Sequence, residues 1–229
     1  MNIRKTCAAQ FQVEEAIVLR KARPSLVDAC SPGNQRAERS DIASWRRSVR
    51  ERLIRQRMEM TTEERDASSA RIASALASRL GDVAGITIGV YWPVRGEPNL
   101  YPWIIDTVRA GATLALPVIV RRGWPLEFRA WQPGEPLDSA AWNIPVPRAR
   151  KPVVPQVIVA PAVAFDRNGF RLGYGGGSYQ NTIAAGNGRA YVVGVGFGHA
   201  LLPTVRPGRH EVPLDMIVTD EPSSMPEDS

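Results

Sequence analysis

VIVAPAVAFDRNGFRLGYGGGSYQNTIAA, residues 157–185 of a 229-residue chain, is the stretch from which the fold can be read. Its first five residues form an unbroken apolar run, as expected of a central strand buried on both faces. An Asn168-Gly169 turn follows, then a loop holding Gly173, Gly175, Gly176 and Gly177, and then SYQNTIAA, which can start a helix. A strand that passes through glycines into a helix makes an anion site. The loop lets several N–H groups converge, glycine permits close approach and positive φ, and the helix N-terminus adds partial positive charge. Arg171 brings a full charge to the same loop. The pattern is neither Walker A nor G-x-G-x-x-G, because no GK[ST] follows and the spacing differs. On the glycines alone, a tight strand-to-helix corner accounts for the loop equally well.

Working outward, ITIGVYW (86–92) is a β-rich run ended by Pro93. A helical pattern follows through Tyr101, Ile104, Ile105 and Val108, and then the run ATLALPVIV (112–120). Strand, helix and strand in that order imply parallel pairing with helices laid over the sheet. LEFRAW (126–131) alternates with period two and suits an edge strand or hairpin. The Pro-rich residues 145–155 read as a surface connection. AYVVGVGF (190–197) is a further buried strand and MIVT (216–219) a short last one. Upstream, Ile42, Trp45, Val49 and Leu53 form an apolar stripe on a helix ending near Met58, whose other faces carry six arginines. Thr61 and Glu64 have capping-box spacing and open a second helix, which buries Ile72, Ala73, Leu76 and Leu80 and stops at Gly81. The expected fold is a single-domain α/β protein, a three-layer α/β/α sandwich around a mostly parallel sheet. Residues 1–40 read as a poorly ordered extension, 41–221 as the domain and 222–229 as a tail.

The formal charge is +6 and the isoelectric point about 9.8, which suits a protein that collects polyanions. Nucleic acid is not the expected partner, because no strand interleaves aromatic and basic residues as single-strand binders do. No apolar run approaches the roughly 20 residues that span a bilayer. Glu14 and Glu15 fall where a signal peptide needs an apolar region, so a cytoplasmic location is expected. Cys7 and Cys30 both precede the domain, which therefore carries no internal disulfide, in keeping with a reducing compartment.

The string AFDRNGFRLGYGGGSYQ resembles the signature of the 5-formyltetrahydrofolate cyclo-ligase (5,10-methenyltetrahydrofolate synthetase) family. The basic first helix, YWPVRGE (91–97), LEFRAW and HEVPLDMIVTDE (210–221) occur in that family's order. The resemblance implies a ligase of one-carbon metabolism that uses ATP and Mg²⁺ to convert 5-formyltetrahydrofolate to 5,10-methenyltetrahydrofolate, with ADP and phosphate released. It implies ATP binding by Arg46, Arg50, Arg171, Leu172, Gly173, Tyr174, Gly175, Gly176, Gly177, Ser178 and Tyr179, with Arg171 and Tyr179 as catalytic residues. Glu97 together with Tyr174 to Ser178 is implied to bind the folate, the carboxylate accepting hydrogen bonds from the pterin. The implied partners are therefore a reduced folate and ATP, and the expected state is a monomer.

Two motifs depart from the family's pattern. Where it ends the loop with Tyr-Tyr-Asp, this chain has Ser178, Tyr179 and Gln180, and where it has His-Asp this chain has His210 and Glu211. The resemblance makes Gln180 and Glu211 the metal positions, yet magnesium prefers hard, charged oxygen and Gln180 offers a neutral carbonyl. Asp215 is a further acid in reach along the chain, either supplementing the metal site or capping the last strand. A second reading is accordingly a non-catalytic relative that binds nucleotide or folate without completing the reaction.

Overall fold

Val157, Ile158, Val159 and Ala160 lie buried in the middle of a seven-stranded sheet in the computed structural model of the protein, which describes residues 32–140, 144–186 and 190–221. These four belong to β7 (Val157–Pro161). It pairs in parallel with β1 (Thr87–Gly89) on one side and β10 (Tyr191–Val195) on the other. Beyond β1 comes β2 (Thr113–Val118), and beyond β10 comes β12 (Met216–Val218), both also parallel. β3 (Glu127–Ala130) runs antiparallel to β2, and β6 (Pro152–Val153) closes that edge. The sheet is mostly parallel, as expected. The Pro-rich residues 145–155 are not only a surface connection, since they hold β5 (Pro145–Pro147), which pairs with β4 (Leu137–Ser139), as well as β6. Proline is tolerated at a sheet edge, where its missing N–H breaks no inner ladder.

From the β1–β7 pair the chain steps outward in both directions, and right-handed crossovers therefore put the connecting helices on opposite faces. On one face, α2 (Thr62–Leu80) and α3 (Tyr101–Arg109) cover the sheet. Ile72, Leu76, Leu80, Trp103 and Ile104 pack there against Ile88, Leu114, Val157 and Val193. On the other, α4 (Ser178–Ala185) sets Tyr179 and Ile183 against Ala115, Phe128, Ile158 and Val192. The strand residues exposed to the two faces alternate, as the pleat requires, and three layers result. The capping box of α2 forms as read: Thr61 Oγ1 accepts from the Glu64 N–H at 3.2 Å, and the Thr61 N–H donates back to Glu64 at 2.8 Å. No helix among the described residues is long and apolar enough to cross a membrane.

The first helix, α1 (Pro32–Glu59), starts nine residues before the boundary expected at Asp41. Residues 1–31, with Cys7 and Cys30, and residues 222–229 lie outside the described residues. α1 packs not on the main sheet but on a hairpin at the carboxyl end of β7, formed by β8 (Ala164–Asp166) and β9 (Arg171–Leu172), with β11 (Leu201–Leu202) parallel to β8. Val49, Leu53 and Ile54 bury themselves against Phe165, Leu172 and Val205.

Asp166 holds this hairpin. Its carboxylate is buried and accepts three backbone N–H bonds, from Asn168 and Phe170 through Oδ1 at 3.0 and 3.2 Å and from Val205 through Oδ2 at 3.0 Å. Gly169, at φ +83°, makes the turn that a side chain would strain. Removing Asp166 takes the acceptor from the buried Val205 N–H and from two N–H groups of the turn. We expect Asp166→Ala to cost about 2–4 kcal/mol, read as a lowered urea midpoint at unchanged slope.

Candidate active site

The glycine loop follows β7 and the turn carrying Glu97 follows β1, so both lie at carboxyl ends of the two strands where the order of the sheet reverses. That is where open parallel sheets bind ligands. α1 supplies the third wall. Its arginines sort by face: Arg47, Arg52 and Arg55 point to solvent, Arg46 and Arg50 are half-buried, and Arg57 is buried.

Arg50 donates from Nε to the carbonyl of Gly173 at 2.6 Å, and its guanidinium lies beside Gly175. Burial, with Arg46 next to it, pushes its pKa down. Arg171 donates from Nη1 to the carbonyl of Pro161, the last residue of β7, at 3.0 Å. A side chain at Gly173 would collide with that guanidinium, which gives this glycine a steric reason. Gly175 and Gly177 sit at φ +94° and +74°, and Gly177 leads directly into α4. Gly176 has no neighbour within 4 Å of where a Cβ would stand, so the middle of the loop faces open space. Leu172 has its side chain wholly in the core and reaches the loop only through its backbone. Ser178 is buried at the first turn of α4, where its carbonyl accepts from Thr182 Oγ1 at 2.7 Å. The Tyr179 ring stacks on the Arg171 guanidinium, 4.9 Å from its centroid, and its hydroxyl is buried with no partner among the described residues. Arg171 Nε and Arg46 Nε are likewise buried and unpartnered.

Glu97 is 6 % exposed, and its Oε2 accepts from the Val94 N–H at 2.9 Å. Burial raises its pKa from the ordinary 4.5 to about 7, although the Val94 N–H, Arg57 and Tyr174 all favour the charged form. Tyr174 connects this carboxylate to the glycine loop. Its hydroxyl is hydrogen-bonded with Glu97 and receives a bond from Arg57 Nη2. Arg57 also donates from Nε to the Arg95 carbonyl at 2.9 Å, on the Glu97 turn. The structure therefore brings Glu97, Tyr174 and Arg171 to one site, as expected, and adds Arg57. The sequence signal for Arg57 is its spacing, two turns past Arg50 on the same face of α1. Next to the Glu97 turn a cleft of about 260 Å³ is lined by Tyr91, Trp92, Leu116 and Trp131, the two indoles meeting edge to face at 6.1 Å. Aromatic residues 39 positions apart gave no sequence sign of meeting.

The metal positions do not fit a magnesium ion. Both carboxylate oxygens of Glu211 are held by Arg46, at 2.5 and 3.1 Å. Gln180 is neutral and turns its amide nitrogen to the His210 carbonyl at 3.4 Å. Asp215 accepts from the Val192 N–H at 2.6 Å, so its carboxylate is engaged at the amino end of β10 rather than capping the last strand. No three acidic, His or Cys side chains converge as a metal site among the described residues, and magnesium asks for more hard oxygen than this.

Fold and site together define a doubly wound α/β protein with a glycine-rich loop at its switch point and a buried acid across from it. A profile of the 5-formyltetrahydrofolate cyclo-ligase family matches residues 42–220, and the chain belongs to that family. The cyclo-ligase of Escherichia coli K12 is 30% identical over 177 residues, covering 73% of this chain and 96% of that protein. The cyclo-ligase of Mycolicibacterium smegmatis is 30% identical over 148 residues, 60% of this chain and 75% of that protein. Among solved structures, the 5,10-methenyltetrahydrofolate synthetase of Aquifex aeolicus superposes with a TM-score of 0.66 at 25% identity, over 77% of this chain and 90% of that one. That of Mycoplasma pneumoniae shares the fold, with a TM-score of 0.64 at 18% identity, over 77% and 99% respectively.

The pKa of Glu97 has a measurable consequence. Below pH 4.5 both folded and unfolded states hold its proton. Between pH 4.5 and 7 the unfolded chain releases the proton and the folded one keeps it, so rising pH favours unfolding; above 7 the penalty is constant. Wild type should thus lose up to about 3 kcal/mol relative to Glu97→Gln between pH 4.5 and 7, seen in paired urea titrations. In Arg57→Met the loss should extend to higher pH, because Arg57 favours the charged carboxylate.

Proposed function

We propose that this chain cyclises 5-formyltetrahydrofolate to 5,10-methenyltetrahydrofolate at the expense of ATP, with the glycine loop as the nucleotide site and Glu97 as the reader of the pterin. The observation that carries the proposal is the meeting of Glu97, Tyr174 and Arg171 at the sheet's switch point, where an acid suited to ring N–H groups faces a loop suited to phosphate. A pterin edge offers adjacent N–H donors to the two oxygens of one carboxylate. The cleft beside the Glu97 turn has an aromatic wall, Trp92 and Trp131, against which a flat ring can pack.

In the proposed reaction the formyl oxygen attacks the γ-phosphorus of ATP, and ADP leaves with the electron pair of the broken P–O bond. The formyl oxygen is now part of a good leaving group. N10 of the folate then adds to the formyl carbon and closes the ring; N10 gives up its proton, and phosphate departs with the C–O electrons. Positioning and electrostatics supply most of the acceleration in such transfers. Arg46, Arg50 and Arg171 bear on the phosphate charge, Tyr179 holds the Arg171 guanidinium by its ring face, and the loop N–H groups orient the oxygens.

One observation favours a second reading, a relative that binds nucleotide or folate but does not complete the reaction. Gln180 and the closed Arg46–Glu211 pair leave no acidic pair beside the loop. Purified protein with 5-formyltetrahydrofolate and ATP separates the two: growth of the methenyl chromophore, dependent on both substrates, is the expected result, and binding without product selects the second reading. Gly176→Val sharpens the test, because its Cβ meets no protein atom and its φ is not positive. We expect it to melt like wild type while losing nucleotide binding, since only a phosphate would meet the new side chain.

A further inference from the structure

We propose that this site takes its nucleoside triphosphate as the metal-free polyanion, with Arg46, Arg50 and Arg171 carrying the charge that a divalent cation would otherwise neutralise. The inference rests on reading the glycine loop as a nucleotide site.

Three observations converge on it. Around the loop stand four guanidinium groups, those of Arg46, Arg50, Arg57 and Arg171, against two acids, Glu211 and Glu97, so the local charge is positive before any ligand arrives. Glu211 is already engaged by Arg46, both oxygens against both terminal nitrogens, in the bidentate arrangement that guanidinium and carboxylate prefer. Gln180 cannot replace it as an anionic ligand. Arg171 is 9 % exposed, and its Nε is a buried donor without an acceptor, as is the Nε of Arg46. Buried donors are rarely left unpaired in a finished site. Phosphate oxygens supply many acceptors at once, and a guanidinium fork matches them two at a time.

Glu211 has a different role in this arrangement. It is the counter-ion of Arg46, and a phosphate arriving at the loop competes with it for the same guanidinium. A magnesium ion gains little here, because coordinating Glu211 would require breaking that pair and would return only one charged oxygen.

The test is calorimetric titration of the full chain with ATP, once in excess EDTA and once in excess magnesium. We expect dissociation constants within about threefold of each other. Glu211→Gln should tighten metal-free ATP by about three- to tenfold, because it frees Arg46 for phosphate. Gln180→Asp should weaken metal-free ATP, because it adds a negative charge beside the phosphates, and should restore a gain from magnesium. The inference is overturned if wild type binds ATP about tenfold or more tightly with magnesium than without. It is overturned equally if Glu211→Gln weakens binding, as the loss of a metal ligand would. The wild-type comparison needs no variant, so a misfolded mutant cannot obscure the answer. Binding only with magnesium sinks this inference alone, whereas no ATP binding in either buffer sinks it together with the nucleotide-site reading.

Discussion

Everything at the site depends on the direction in which the chain leaves the centre of its sheet. β1 and β7 are parallel neighbours, and the chain continues from one towards β2 and from the other towards β10. Because the connecting helices must cross right-handedly, they part to opposite faces and leave a crevice above the two carboxyl ends. One end continues into the Glu97 turn and the other into the hairpin and glycine loop. Neither segment holds a ligand site by itself. The crevice has only two natural walls, and α1 becomes the third because the β8–β9 hairpin gives it an apolar seat.

Charge is what makes that seat expensive. Glu97, Arg57 and Arg171 are all buried within the same small volume, and burying an unpaired charge is far more costly than burying a paired one. The solution is a shared network rather than separate ion pairs. Arg57 and Tyr174 serve Glu97, Tyr179 covers Arg171 through its ring, and backbone carbonyls of Arg95, Pro161 and Gly173 each accept one guanidinium donor. Each arginine thus binds the backbone of the segment it faces. The side chains that make the site electropositive are the same ones that fix the loops in place.

Much of this was legible before any coordinates. The apolar runs of β1, β2, β7 and β10 announce a buried parallel sheet, and Thr61 with Glu64 announces the start of α2. The glycine loop shows as a glycine run between strand and helix, and its role, like that of Glu97, comes only from the family resemblance. What could not be read were contacts set by tertiary approach. Pro152–Val153 pairs as a strand although proline argues against one, because the sheet edge has no further ladder for it to break. Asp166 looks like part of a turn, and its third acceptor bond, to Val205, lies 39 residues away. Glu211 carries a charge suitable for a metal, and only the fold shows that Arg46 has taken it. The start of α1 was placed too late because its apolar stripe begins at Ile42, while hydrogen bonding along the helix extends back to Pro32 without it.

The partners of α1 are also distant in the chain. Arg57 reaches across 117 residues to Tyr174, Arg50 across 123 to Gly173 and Arg46 across 165 to Glu211. During synthesis, the helix leaves the ribosome long before most of what it binds. At about 5–20 residues per second it waits roughly 8–30 s for Glu211 to be made. Through that interval its apolar stripe and its row of arginines face the crowded solution uncovered. The crevice is consequently among the last parts of this protein to assemble, and a nascent chain arrested before residue 170 would carry a finished sheet edge beside a helix whose seat lacks Leu172, Ala200 and Val205.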